Sequence, residues 1–209
     1  MEIMFENITK GWNVYRKNFL RLSISFCITA IPIELAILFL PRTAGWQFLI
    51  GGLFVLSFLA SASFDVRLVN SFRDGDDVTN REALIAIKRR WIQLVELGFL
   101  LAVFIVSGLY LLLRFYNFVV SLVVLAAPLF TVFTLPRLVL EEAGLLASLM
   151  DAVRMSWSNL FDVLVITVLP GAIAVYLWLI GLWLPVWCFL LPFWIALITE
   201  VYLEIEQSN

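Results

Sequence analysis

The stretch VLVITVLPGAIAVYLWLIGLWLPVWCFLLPFWIALIT, residues Val163–Thr199, contains no charged side chain. A helix that crosses a bilayer needs only about 20 apolar residues, so a stretch of this length can cross twice. Near its middle, residues 181–185 are Gly-Leu-Trp-Leu-Pro, and Gly and Pro both favour a turn over a continuing helix. The sequence therefore predicts a transmembrane hairpin with a tight turn at residues 181–185.

The composition of the whole chain is typical of a membrane protein. Hydrophobic residues make up 63% of the 209 residues and charged residues 14%, whereas soluble domains are about half apolar and a quarter charged. The 14 Lys and Arg do not exceed the 16 Asp and Glu, so there is no basic excess for a nucleic-acid backbone. Histidine, the commonest general base and metal ligand, does not occur. We expect membrane lipids as partners, together with no nucleic acid, no metal and no cofactor.

The sequence contains few residues of the kinds that carry out catalysis. Cys27 and Cys188 both lie in apolar runs, where a thiol behaves as a small hydrophobic side chain rather than as a nucleophile. A disulfide between them is an alternative that the sequence does not require. Gly-rich phosphate loops, CxxC pairs and nucleophile elbows do not occur. We therefore assign no catalytic or cofactor-binding residue and expect no enzyme activity.

Four further apolar runs bring the predicted number of transmembrane helices to six. They are Leu22–Leu40, Thr43–Phe64, Leu97–Leu113 and Phe115–Pro136. A cleaved signal peptide, the rival interpretation of the first run, is less favoured because Glu34 interrupts the run and no A-x-A-like site follows. With six spans, 12 of the 14 Lys and Arg fall on the side of the two termini. The positive-inside rule then places both termini in the cytoplasm.

Three amphipathic helices are predicted on the cytoplasmic side, each ahead of a pair of spans. Their apolar residues step by three or four positions, as on one helix face: Phe5, Ile8, Trp12, Tyr15 and Phe19; Leu84, Ile87, Trp91 and Leu94; and Leu146, Met150, Val153, Trp157 and Leu160. Thr79 and Glu82 have the spacing of a capping box before the second helix. We expect an all-α integral membrane fold, a single polytopic domain over residues 1–209 with a pseudo-threefold helix-span-span repeat at approximately 1–66, 79–137 and 144–204. The alternative is that Trp and basic residues merely coincide at the membrane interface.

Three groups of short motifs carry a resemblance to a known group of proteins. They are Gly11-Trp12 with Lys17-Asn18-Phe19, residues 135–141 (LPRLVLE) and residues 152–160 (AVRMSWSNL). With these motifs the chain resembles a broad group of six-span bacterial and archaeal membrane proteins, including the membrane domain attached to some glycerophosphodiester phosphodiesterases. The resemblance implies a fold and an accessory role beside another membrane or envelope component. It implies no phosphodiesterase activity, because it concerns the membrane domain alone.

Glu34 is the strongest candidate for a functional polar group within a span. It follows Pro32, whose missing N–H can open a kink and leave carbonyl groups free beside the carboxyl group. A carboxylate at membrane depth is costly unless it is paired, protonated or facing water. The alternative is that Glu34, shortly before Arg42, reaches the outer headgroups.

Charged residues at the cytoplasmic ends of the spans predict a polar ring that lines a vestibule or joins the helices through ion pairs. These residues are Asp65, Arg67, Glu96, Arg137, Asp162 and Glu200. The alternative is that they are solvated charges at the interface. As contacts to lipid headgroups we expect Lys88, Arg89, Arg90, Trp12, Trp91 and Trp157.

Two functional hypotheses follow from these residues. The leading one is a non-enzymatic integral membrane protein with an accessory or regulatory role beside another membrane protein in the cytoplasmic membrane. The alternative is a small transporter or channel for a lipid-like or small polar solute, which would use Glu34 and the polar ring. A lipid-modifying enzyme has the least support, because no motif of paired carboxylates occurs.

Overall fold

The computed structural model describes residues 2–39, 44–75, 79–115, 131–141, 143–182 and 185–208. Every regular element in these ranges is a helix, which confirms the all-α prediction for them. The elements are α1 (Glu2–Lys17), α2 (Phe19–Phe39), α3 (Ala44–Asp74), α4 (Asn80–Arg89), α5 (Trp91–Phe115), α6 (Thr134–Leu140), α7 (Leu145–Ser158), α8 (Leu160–Leu179), a π-helical segment (Val186–Leu190) and α9 (Leu191–Ser208).

Two helical stretches of the described chain are long and apolar enough to cross a membrane. Gly51–Asp74 lies within α3, and Val186–Gln207 comprises the π-helical segment and most of α9. A third crossing is obtained if α7 and α8, which meet at 98°, are counted as one bent span. Within α2 and α5, the apolar stretches Phe19–Ile31 and Trp91–Phe104 are shorter, and most of the predicted span Phe115–Pro136 lies outside the described residues. The described chain thus has two to three candidate spans, and the count of six stays a prediction.

Helix α3 continues well beyond Phe64, the predicted end of the second span. It stops at Gly75, whose φ of 75° is left-handed and therefore favours glycine. Asp65 and Arg67, which the sequence places at the cytoplasmic end of the second span, lie inside this helix. Burial of the Asp65 carboxyl group is costly in free energy, and the hydrogen bond that it accepts from Ser25 of α2 offsets part of this cost.

Each of the three predicted amphipathic helices is followed by a break of one residue and then by an apolar helix. The breaks are at Asn18, Arg90 and Asn159. The side-chain amide of Asn18 donates to the carbonyl of Val14 at 3.1 Å, and that of Asn159 donates to the carbonyl of Met155 at 2.9 Å. Each amide thus adds a second hydrogen bond to a carbonyl that already accepts the backbone N–H of the same asparagine.

Helix α4 begins at the predicted capping box, which the structure confirms. The Glu82 N–H donates to the Thr79 hydroxyl oxygen at 3.3 Å, and the Thr79 N–H donates to the Glu82 carboxylate at 2.8 Å. These hydrogen bonds lower the pKa of Glu82, because they favour the ionised carboxylate. The start of α4 is therefore determined by side chains next to it in the sequence.

The final hairpin turns at Gly181, as predicted. Gly181 has a φ of 82°, and the Leu182 N–H donates to the carbonyl of Leu177 at 2.8 Å, which closes the end of α8. In the π-helical segment that follows, the Leu191 N–H donates to the carbonyl of Val186, five residues earlier. Pro192 accounts for this wide turn, because proline lacks an N–H and its ring clashes with the carbonyl four residues before it.

The apolar core lies between α2, α3, α5, α6 and the final hairpin. Phe26, Leu59, Leu97 and Leu138 are buried in it, together with Trp187. The Trp187 indole N–H donates to the carbonyl of Phe26 at 2.7 Å. This hydrogen bond satisfies a buried donor and ties the π-helical segment to α2.

Helix α1 packs against α9 at a glycine. A Cβ atom on Gly11 would lie only 3.3 Å from the Cα atom of Leu197. One turn further along α1, the buried Tyr15 donates its hydroxyl proton to the carbonyl of Phe189 at 3.0 Å. Burial raises the pKa of Tyr15, so the phenol keeps the proton for this bond. The missing side chain at Gly11 thus allows the close approach of the two backbones.

The variant Gly11→Val should push α1 away from α9, because the new side chain meets backbone atoms. We expect a lower melting temperature, corresponding to about 1–3 kcal/mol, the usual cost of overpacking. Gly51→Val is the matched control, since a Cβ atom at Gly51 meets nothing within 4 Å. Thermal unfolding in detergent micelles measures the difference, and equal melting temperatures for the two variants would contradict the close contact.

Candidate functional site

A network of charged side chains joins α1, α3 and α9 at one end of the molecule, and we call it the Arg73 network. Nitrogens of the Arg73 guanidinium lie 3.6 Å from a carboxylate oxygen of Glu200 and 3.8 Å from one of Glu204. Arg73 also donates to the side-chain carbonyl of Gln207 at 2.6 Å. Lys10 of α1 pairs with Glu204 at 3.1 Å. Because Glu200 is buried, its charge depends on Arg73 for a partner.

A second network, the Arg137 network, joins α6, α7 and α9. The Arg137 guanidinium lies 2.9 Å from the Glu141 carboxylate and 3.0 Å from that of Asp151. Tyr202 of α9 donates its hydroxyl proton to Glu141. Partial burial raises the pKa of Glu141, and the charge of Arg137 opposes this shift. The network borders a cavity of 490 Å³ that is also lined by Arg154.

A third polar group, the Asp65 cluster, lies between α2 and α3. One carboxylate oxygen of Asp65 accepts a hydrogen bond from the Ser25 hydroxyl at 2.8 Å. Ser61 donates to the carbonyl of Ser25 at 3.1 Å, and its hydroxyl oxygen lies 2.9 Å from that of Thr29. Within the described part of the chain, no group donates to the second carboxylate oxygen of Asp65. The cluster thus presents a buried oxygen that can hold a proton.

The predicted polar ring is divided among these groups. Asp65, Arg137 and Glu200 belong to the Asp65 cluster, the Arg137 network and the Arg73 network, respectively. The other three ring residues are Arg67 and Asp162, which are half-buried, and Glu96, which is exposed. A single connected ring stays a prediction.

Pro32 and Glu34 lie in the second half of α2. Their side chains fall outside the described part of the structure. The depth of Glu34 and its role in a polar path therefore stay predictions.

The residues predicted to touch lipid headgroups are largely exposed. The exposed members are Lys88, Arg89, Trp12, Trp91 and Trp157. Arg90 instead donates to the side-chain carbonyl of Gln93 at 3.1 Å, next to the break before α5. Headgroup contact by these residues stays a prediction.

Some members of the three polar groups were not predicted from the sequence, although a signal for them exists. Glu204 stands four positions after Glu200, and this spacing places both carboxylates on one face of α9, where they meet Arg73. Ser61 likewise stands four positions before Asp65 on α3. Polar residues four positions apart, at or just beyond the end of an apolar run, are therefore the signal that marks both groups.

Cys27 and Cys188 are free thiols, so the alternative of a disulfide between them is not realised. Among the described side chains, no group of three or more His, Cys, Asp and Glu could hold a metal ion.

No family model matches the chain, and neither the curated proteins nor the solved structures include a significant match. The resemblance to the six-span group stays a prediction that rests on the short motifs alone.

The Arg73 network predicts the outcome of a double-mutant cycle. Arg73→Leu leaves Glu200 buried without its partner, and breaking a buried pair in this way costs about 3–5 kcal/mol. We expect the lower end of this range, because the Arg73 side chain is 21% exposed. The double variant Arg73→Leu/Glu200→Leu should recover most of the loss, since neither charge of the pair then remains.

Melting temperatures of the single and double variants in detergent micelles measure this cycle. Arg81→Leu is the matched control, because Arg81 is exposed on α4. A melting temperature of Arg73→Leu as high as that of the control would show that the network does not stabilise the fold.

Proposed function

We propose that this chain is a non-enzymatic integral membrane protein with an accessory or regulatory role beside another membrane protein in the cytoplasmic membrane of a prokaryote. The proposal includes six spans, three interfacial helices in a pseudo-threefold repeat, and both termini in the cytoplasm. The observation that carries it is the apolar face of α7.

Helix α7 turns its apolar stripe away from the protein. Leu146, Met150 and Trp157 expose 72%, 66% and 68% of their surfaces. The buried residues of this helix are instead small: Ser148, Ala152 and Ser156. An apolar stripe of this kind is unfavourable in water, whereas at a membrane surface it inserts between the lipid headgroups and acyl chains. The stripe therefore supports an interfacial position for α7.

The angle between α7 and α8 supports the same position. The two helices meet at 98°, on either side of Asn159. This angle is expected if α7 lies in the plane of the membrane and α8 crosses it. The breaks at Asn18 and Arg90 also separate an amphipathic helix from an apolar one, which supports the repeat of helix and spans.

The distribution of basic residues supports the orientation. Lys10, Arg73 and Arg137 come from distant parts of the sequence, and each belongs to a network that includes the last turns of α9. Basic residues from three regions therefore lie at one end of the molecule. The positive-inside rule makes that end the cytoplasmic one.

Labelling of single cysteines with a membrane-impermeant maleimide tests this orientation. In a background of Cys27→Ser and Cys188→Ala, we expect Ala44→Cys and Leu182→Cys to react in intact cells. Ala143→Cys should react only in inverted membrane vesicles, because position 143 precedes the interfacial helix α7. The reverse pattern would overturn the orientation, and reaction of positions 44 and 182 from different sides would overturn the six-span count.

The accessory role is supported by how the charged side chains are used. In the Arg73 and Arg137 networks, the charged side chains form ion pairs, and most of these pairs join neighbouring helices. Between the helices lies an apolar core that includes Phe26, Leu59 and Trp187. Both features favour a stable scaffold whose outer surface meets other molecules.

The Asp65 cluster favours transport as the second candidate function. A fully buried carboxyl group inside a candidate span is costly and is common in proton and ion paths. Its second oxygen has no hydrogen-bond partner among the described residues, so it can bind a proton or a hard cation. In this alternative, Asp65 would act together with Glu34.

Reconstitution of the purified protein into liposomes distinguishes the two functions. The accessory role predicts no flux of protons, Na⁺ or small polar solutes above that of empty liposomes, and no conversion of the lipids. Flux that is lost in Asp65→Asn or Glu34→Gln, and kept in the control Asp74→Asn at an exposed position outside the predicted ring, would replace the accessory role with transport.

A further inference from the structure

An apolar groove runs along the outside of the final hairpin, and we call it the aromatic groove. Its volume is 570 Å³, within the range of about 300–1,000 Å³ that ligand sites span. Phe19 stacks on Phe189 with ring centroids 5.4 Å apart, and Trp12 meets Phe193 edge to face at 5.7 Å. These paired rings give the groove rigid apolar walls.

A basic recess adjoins the aromatic groove. It is 330 Å³ in volume, is lined by residues 16–21, and shares Arg16 and Phe19 with the groove. Its basic side chains, Arg16, Lys17 and Arg21, are all exposed. No acidic side chain of the described ranges forms an ion pair with Arg16 or Lys17. The recess therefore carries positive charge that is not neutralised within the described chain.

The backbone adds to the attraction for an anion. The first hydrogen bond of α2 runs from the Leu22 N–H to the carbonyl of Asn18 at 3.1 Å. The N–H groups of residues 19–21 come before this bond, at the positive end of the helix dipole. Anions bind favourably at such a position, particularly beside basic side chains.

The positions of the recess and the groove along the membrane normal match those of the headgroup and an acyl chain of a lipid. The Arg21 guanidinium lies 5.6 Å from the centre of the Phe72 ring, so the recess is next to the last turn of α3 and the Arg73 network. The groove extends from there towards Pro185, at the far end of the hairpin. In the proposed topology, the recess lies at the cytoplasmic headgroups and the groove lies among the acyl chains.

We propose that one anionic phospholipid of the cytoplasmic leaflet binds at this site, with its phosphate in the basic recess and an acyl chain in the aromatic groove. The positive charge of the recess favours an anionic lipid over the other possible occupants. A zwitterionic lipid carries a positive group that the recess repels, and an apolar helix has no negative charge to pair with the recess. The site rests on the proposed membrane location of α1 and α2. It goes beyond general headgroup contact, because here the charges border an apolar groove.

Native mass spectrometry of protein released from bilayers with equal amounts of phosphatidylglycerol and phosphatidylcholine tests the site. The unmodified protein should retain one phosphatidylglycerol molecule. Arg16→Gln/Lys17→Gln should weaken this retention about 10- to 30-fold, the effect of two basic residues beside an anionic headgroup. Phe189→Ala should weaken it about 3- to 10-fold, since one wall of the groove is lost.

Matched controls separate the site from general effects of charge and surface. Arg81→Gln/Arg154→Gln removes the same charge from exposed positions on α4 and α7, and Phe99→Ala removes an exposed aromatic ring from α5. Both controls should retain the lipid as the unmodified protein does. Equal loss of lipid in the controls would overturn the proposal.

Three further results would also overturn it. They are equal retention of both lipids by the unmodified protein, unchanged retention by Arg16→Gln/Lys17→Gln, and a dimer that Phe189→Ala dissociates without loss of lipid. The maleimide labelling described above separates the two proposals. A reversed labelling pattern would contradict the proposed membrane orientation. Loss of lipid selectivity together with the expected labelling pattern would contradict only the proposed lipid site.

Discussion

The pairing of the buried Glu200 carboxylate with Arg73 is the contact on which much of the architecture depends. A charge on a membrane-spanning helix must find a partner within the protein or reach the headgroups. For Arg73 to meet Glu200, α3 has to stay helical as far as Asp74. Lys10 approaches the same face of α9 from the other side, through Glu204. The length of α3, the position of α1 and the depth of α9 are therefore coupled through one set of charges.

Features that depend on neighbouring residues could be predicted from the sequence. The capping box of Thr79 and Glu82 and the turn at Gly181 both arise from local backbone chemistry. The end of α3 could not be predicted in this way. Asp65 marks the end of an apolar run, but its partner Ser25 stands 40 positions earlier. Because this hydrogen bond joins residues far apart in the sequence, a position that looks like a boundary in the sequence lies in the interior of a helix.

The charged residues of the candidate site could be proposed from the sequence, but their contacts could not. Hydropathy indicates how far along a span a charge lies, whereas its partner depends on how the helix is rotated about its axis. The sequence thus places Glu200 and Arg137 in one predicted ring but does not predict their partners, Arg73 and Glu141. The apolar stripe of α7 likewise shows that a face can be predicted when the neighbour of that face cannot. A spacing of three and four identifies the residues that share a face, but it does not indicate that small residues such as Ala152 face the protein.

The π-helical segment has a consequence for the polar half of the last helix. One extra residue in a turn rotates every later side chain by about 100° relative to an unbroken α-helix. The phase of α9 is thus set near Pro192, whereas Glu200 lies about 15 Å away from the end of the π-helical segment along the helix axis. An irregularity of the backbone in the apolar half of the hairpin thereby selects which carboxylates face the guanidinium of α3.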